Sequence, residues 1–157
     1  TILYKIIFLL NPHQKKLLDI KFVSVIFIFD INNKILMQLR DNKPNIAAPN
    51  MWGPVGGNCK KGETPYECCL REVTEETGYL PSKINWLKNI YLSDDINNNY
   101  LAHYLSVFWS IYKNEKVIKC YEGQKIVFKS LEEIESLNTF KHNINCIKEI
   151  LKIKNNE

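Results

Sequence analysis

Apolar positions along the chain fall into short unbroken runs, with two stretches at helical spacing between and after them. Phe22–Phe29 is a run of Val, Ile and Phe broken only by Ser24, too short to span a bilayer and rich in strand-forming residues. It predicts a strand buried on both faces. Asp30-Ile31-Asn32-Asn33 is a turn signal, and Ile35–Arg40 is expected to pair back as a hairpin. Residues 41–50, with Pro44 and Pro49, predict a loop, and Met51–Gly57 a short strand ending in two glycines. Thr64 and Pro65 then mark a helix start, and Gly78 its stop. Between them Tyr66, Cys69, Leu70, Val73 and Thr77 recur on one face.

Downstream, Trp86–Leu92 and Tyr100–Ile111 predict two strands around a Ser93–Asn99 loop. Lys125–Phe128 is a further strand, Leu131–Leu137 a helical turn capped by Ser130, and Phe140–Ile153 an amphipathic helix. At the other end, Ile2–Leu10 reads as a strand. It is interrupted by Lys5 and lacks the small-residue cleavage site of a leader, and Thr1 in place of Met suggests a trimmed start. Strands mixed with one central and one final helix predict an α/β fold, a mixed sheet sandwiched by helices. With 157 residues and no repeat or linker, a single domain over 1–157 is expected.

Composition changes this picture little. Hydrophobic residues make up 45% and charged residues 24%, ordinary for a globular chain. The net charge of +4 lacks the basic stripe of a nucleic-acid binder, though it suits an anionic small molecule. Five cysteines, Cys59, Cys68, Cys69, Cys120 and Cys146, form no C-x-x-C. An odd count without metal-ligand spacing points to free thiols and a cytoplasmic protein.

The chemistry sits on the central helix. Glu72, Glu75 and Glu76 stand at i, i+3 and i+4, within an arc of about 100°. Like charges at 4 Å repel by about 1 kcal/mol in water and about 4 at an effective dielectric of 20. A solvated acidic face is the plain reading. A site for Mg²⁺ or Mn²⁺ is the sharper one, because hard oxygens suit those ions and coordination removes the repulsion. Arg71 can pair with Glu75 one turn on or with Glu63 at the helix start, and its fork would orient either carboxylate.

The segment Gly57–Tyr79 resembles the signature of the Nudix hydrolase family, closest to its MutT-like group. Gly57, Glu63, Arg71, Glu72, Val73, Glu75, Glu76 and Gly78 all stand in register, and Tyr79 alone departs, where an aliphatic residue is usual. The order of strand, hairpin, Trp52-x-x-x-Gly56-Gly57 and final helix extends the likeness from about Phe22 onward. The resemblance implies a Nudix-type α/β/α sandwich. It implies metal binding by Glu75 and Glu76, and by Glu72 unless that residue is the base. It implies a supporting Glu63–Arg71 pair, a Gly56 carbonyl on the metal and a further acid from a later loop, for which Glu122 in Tyr121-Glu122-Gly123-Gln124 is the candidate.

The implied reaction is metal-dependent hydrolysis of a nucleoside diphosphate linked to another group. Arg40, Trp52, Lys60 and Asn143 are candidate nucleotide contacts. Lys61, Met51, Phe108 and His103 are weighed as well and read as surface or core residues. Ser93–Asn97 carries neither the Pro of the ADP-ribose branch nor the Tyr of the diadenosine branch. A (deoxy)nucleoside triphosphate is therefore the expected substrate, with a nucleotide sugar as the alternative and a non-hydrolytic nucleotide-binding module behind both. The expected partner is a small nucleotide, not a membrane, and the expected state a monomer or homodimer.

Overall fold

The computed structural model describes residues 20–96 and 99–156, leaving aside the side chains of 93–102. The strand expected at Ile2–Leu10 lies outside these residues. In chain order the elements are β1 (Ile20–Phe29), β2 (Ile35–Leu39), β3 (Trp52–Gly53), β4 (Val55–Asn58), α1 (Pro65–Thr77), β5 (Asn85–Ile96), β6 (Asn99–Ile111), β7 (Lys125–Lys129), α2 (Leu131–Glu135) and α3 (Lys141–Asn155).

The described strands form one mixed sheet in the order β3-β2-β1-β6-β5, with β4 added to β1 and β7 to β2. β1 runs parallel to β6, from Ile20 opposite Ala102 to Phe29 opposite Ile111. Its pairings with β2 and β4 are antiparallel, and Val25 faces Gly56 across the latter. The β1–β2 turn closes as its sequence suggests. Asp30 Oδ1 accepts from the amides of Asn32 and Lys34, and Asn33 takes a left-handed φ of 60°.

The unbroken run in β1 has a direct reading. Side chains alternate between sheet faces, so a strand covered on both sides must be apolar at every position. Val25, Phe27 and Phe29 join one core with Met37, Leu105, Trp109, Ile134, Ile147 and Ile150, under α2 and α3. Ile26 and Ile28 join the other with Leu36, Val55, Cys69, Val73, Tyr79 and Phe108, under α1. The expected α/β/α sandwich is thus observed.

Three local expectations are corrected. Met51–Gly57 is not one strand: Pro54, which lacks an N–H, separates β3 on β2 from β4 on β1. Within the stretch expected as a Ser93–Asn99 loop, residues 93–96 and 99 are strand, because β5 and β6 stay paired to Ile96 opposite Asn99. Tyr66 is not on the buried stripe of α1. It is exposed, with its ring edge-on to Phe108 at 6.3 Å, and the buried residues are Cys68, Cys69, Val73, Glu76 and Thr77.

The cysteine expectation is also corrected. Cys59 and Cys68 are joined, with Cα atoms 5.1 Å apart, while Cys69, Cys120 and Cys146 are free. Neighbours on a helix diverge, so Cys69 enters the core while Cys68 turns back toward the segment leaving β4. A spacing of nine residues does not reveal that return.

Candidate active site

α1 is fixed at both ends before its acids are considered. Thr64 accepts from Glu67 N, and Glu67 returns a bond to the Thr64 amide at 2.8 Å, closing a capping box. At the far end Gly78 adopts φ 66° and its amide donates to Thr74 O. A Cβ on Gly78 would also stand 3.0 Å from the Tyr121 ring, so glycine serves both the turn and the close approach of the 119–123 segment. Lys119 N and Tyr121 N donate to the Thr77 and Glu76 carbonyls at 3.0 and 2.9 Å. The segment carrying Glu122 is thereby pinned to the C-terminal end of α1.

Arg71 gathers the other acids. Its Nε donates to Glu63 Oε1 at 2.5 Å and its Nη2 to Glu63 Oε2 at 2.9 Å, a bidentate pair. Its Nη1 donates to Glu72 at 2.6 Å and to Glu75 at 3.1 Å, and Nη2 also reaches Asn58 O at 3.0 Å. Both pairings open to Arg71 on sequence, with Glu63 and with Glu75, therefore occur together. The guanidinium and the Lys60 amide hold the Glu63 carboxyl down at about 2. Gly57 lies directly on Glu72, where a Cβ would meet Glu72 Oε2 at 2.6 Å.

Glu76 is differently placed. It is 4% exposed, and its Oε2 accepts from Gln38 Nε2 at 3.3 Å and from the Gly56 amide at 3.4 Å. Burial, then the charges of Glu122 and Glu72, push its carboxyl up to about 8, against smaller opposing effects of the Gly56 amide and Arg40. Sequence reasoning passed over Gln38. It is 3% exposed and also donates to Glu122 O at 2.9 Å, tying β2, α1 and the Glu122 segment together. A lone amide in the apolar strand Ile35–Leu39 was the available signal.

Beside these groups opens a cavity of about 400 Å³, lined by Gln38, Arg40, Asp41, Lys43, Ile46, Tyr121, Glu122 and Gly123. Arg40 Nε donates to Ala47 O, shaping the 41–50 loop, and Lys43 pairs with Asp41 at 2.7 Å. Gln124 Nε2 closes the rim by donating to Arg40 O and Asn50 Oδ1.

The remaining candidates lie away from this lining. Lys60 is exposed, with its Nζ 3.8 Å from Glu75. Trp52 is half-buried on the α3 side, with the Lys125 and Lys129 ammonium groups each 5.4 Å from its ring. Asn143 is 4% exposed and donates to Thr139 Oγ1, which itself donates to Trp52 O. Phe108 is core, and Lys61 is exposed.

Whether the acids suit a divalent cation can be judged from their chemistry. Glu76 is raised by burial first and by the neighbouring Glu122 and Glu72 second, and a cation beside it would offset both effects. The donors are hard oxygens, as Mg²⁺ and Mn²⁺ require. Among the described residues no three acids already converge as a closed metal cage, because Arg71 engages Glu63, Glu72 and Glu75. The donor chemistry fits such an ion, with Glu75 exposed and Glu63 and Glu72 held closer in by Arg71.

A family model described as the NUDIX domain matches residues 21–148. The chain belongs to the Nudix family. An m7GpppN-mRNA hydrolase, NUDT17, of Xenopus laevis is 39% identical over 61 residues, covering 39% of this chain and 20% of the relative. An ADP-ribose pyrophosphatase of Methanocaldococcus jannaschii is 38% identical over 73 residues, covering 46% of this chain and 41% of the relative. The match therefore spans only a fifth and two fifths of these curated relatives. The Nudix domain of Shewanella oneidensis NrtR, solved with ADP ribose, superposes with a TM-score of 0.73 at 14% identity, over 95% of this chain and 96% of that one. It establishes likeness of fold. Among the described residues no helix of this Nudix chain is long and apolar enough to cross a membrane.

Proposed function

We propose that this Nudix chain, a single domain acting in the cytoplasm, hydrolyses a nucleoside diphosphate linked to another group. The preferred substrate is a (deoxy)nucleoside triphosphate, cleaved to the monophosphate and pyrophosphate. The observation that carries the reading is an adjacency. Gln38 and the Glu122 segment join the acids of α1 to a cavity bearing Arg40 and Lys43. One wall suits phosphate and the other suits the cation that accompanies it.

Glu72, Glu75, Glu76, Glu122 and the Gly56 carbonyl would hold Mg²⁺ or Mn²⁺, which when bound neutralises phosphate charge and polarises phosphorus. The chain's own groups do the rest. Arg40 and Lys43 attract the phosphates, with Lys60 approaching from the side of Glu75. Arg71 keeps Glu63, Glu72 and Glu75 in fixed relative positions. Glu72 or Glu75 accepts the proton of the attacking water. Water oxygen bonds to phosphorus, the anhydride P–O bond breaks, and pyrophosphate leaves.

The cavity lies at the small end of the range for ligand pockets, which supports one nucleoside over a dinucleotide. Trp52, half-buried on β3, and Asn143, buried on α3, contribute by fixing β3 to the start of α3 through Thr139. A nucleotide sugar is the second reading, favoured by the ADP-ribose pyrophosphatase relative.

A panel of nucleoside triphosphates, ADP-ribose, another nucleotide sugar, a diadenosine polyphosphate and a capped dinucleotide, with Mg²⁺ or Mn²⁺, tests the reading. The expected products are a monophosphate and pyrophosphate from a triphosphate, with Glu75→Gln nearly inactive. Equal turnover by Glu75→Gln would remove the acids from the mechanism. Tight binding with no turnover of any member would make the chain a nucleotide-binding module.

A further inference from the structure

The Cys59–Cys68 crosslink encloses the segment that supplies Glu63, the bidentate partner of Arg71. The two sulfurs differ in access. Cys68 is fully buried, whereas Cys59 is half-buried at the end of β4. The Arg71 Nη2 lies 3.9 Å from Cys68 Sγ, and Ser24 Oγ lies 3.5 Å from Cys59 Sγ. Two further bonds tie the enclosed segment to β1, from the Cys59 amide to Phe22 O at 2.8 Å and from Ser24 Oγ to Pro65 O at 2.7 Å, while residues 60–64 between them are held by the Glu63–Lys60 turn, the Thr64–Glu67 box and the Arg71 pair.

We propose that Cys59 and Cys68 form a reversible thiol–disulfide clamp on the segment that positions Glu63 and Arg71, tight when the sulfurs are joined and slack when they are parted. The consequence for turnover rests on the hydrolase reading above; the clamp itself does not.

The exchange balances as follows. A small thiolate attacks the accessible Cys59 Sγ, the Cys59–Cys68 bond breaks, and Cys68 leaves as a thiolate beside the Arg71 guanidinium, which stabilises that charge. A second small thiolate attacks the mixed disulfide at the small-molecule sulfur. Cys59 is released as a thiolate, the two small thiols leave joined as a small-molecule disulfide, and the two electrons they gave up reside on Cys59 and Cys68. The reverse needs a small-molecule disulfide as oxidant, returns two small thiols and rejoins the pair. In a reducing compartment the slack form dominates, and exposure to small disulfides tightens the scaffold.

The test compares the whole chain equilibrated with oxidised glutathione against the chain reduced by dithiothreitol. Alkylation under denaturing conditions should label three cysteines in the first state and all five in the second. Hydrogen exchange at residues 59–64 should quicken about tenfold or more on reduction. Turnover of the best-cleaved panel nucleotide should fall about three- to tenfold, through kcat more than KM. Cys59→Ser should match the reduced state under both conditions, and Cys120→Ser should keep the full response. If Cys59→Ser does not fold, the parent chain and Cys120→Ser decide alone. Five labelled cysteines in the glutathione-treated chain, or equal exchange in both states, would overturn the clamp. A full exchange response with no nucleotide cleaved in either state would sustain the clamp and remove the hydrolase reading.

Discussion

Two sides of the same helix treat their carboxylates in opposite ways. On the outer side Glu72 and Glu75, with Glu63 from just before α1, converge on Arg71, and positive charge is already present. On the inner side Glu76 is buried with two long hydrogen bonds, from Gln38 and the Gly56 amide, and with Glu122 and Glu72 as charged neighbours. The first group has Arg71, and Lys60 near Glu75, set against its three carboxylates. The second lacks a positive partner of its own, because the nearest cationic influence, Arg40, is a weak one. Preorganisation and cation demand thus meet at two consecutive residues, Glu75 and Glu76.

The strongest way to break this contrast is on the Arg71 side. Glu75→Gln should lower kcat by about 10²-fold or more, the scale for losing a positioned acid or base, with the melting temperature unchanged because Glu75 is exposed. Steady-state kinetics beside a thermal melt checks both parts. Arg71→Ala should come next, lowering kcat about 10- to 100-fold while also loosening Glu63. Its signature is faster hydrogen exchange at residues 60–64, which Glu75→Gln should not show.

The buried side is tested by pH. An unfolded glutamate titrates near 4.5, and burial with the neighbouring carboxylates pushes Glu76 in the folded chain up to about 8. Between these values the folded state binds more protons, so stability is full below pH 4.5 and falls as pH rises toward 8. Without divalent cation the melting temperature should decline across that window by several degrees. Millimolar Mg²⁺ should restore it most at the alkaline end, and Glu76→Gln should flatten the slope. A flat profile in the parent chain would remove the contrast. The smallest effect is expected at Asn143→Ala: a loss of about 1–2 kcal/mol in denaturant unfolding for a buried amide, with kcat within about twofold.

The contrast also marks what could be read in advance. The run in β1, the Thr64 cap and the Gly78 stop are local signals, and each has the structure its chemistry demands. The grouping of Glu63, Arg71, Glu72 and Glu75 was legible for the same reason, since helical spacing sets most of it. Gln38 escaped notice because its role comes from Glu76 and Glu122, residues brought to it by folding. The Cys59–Cys68 contact depends on how β4 turns into α1, which spacing does not encode. Residues 93–96 misled because hairpin pairing with β6 overrode a polar composition.

The parallel pairing of β1 with β6 gives the site a history as well as a shape. These strands come from opposite halves of the chain, so their contact is among the slowest kinds to form. α1 is capped by nearby residues, whereas the Glu122 segment follows β6 in the chain and bonds to the C-terminal end of α1. The acidic helix face is thus built from local sequence, and its last candidate carboxylate comes from beyond the β1–β6 pairing. A nascent chain released before β6 would present the charge cluster with no cavity beside it.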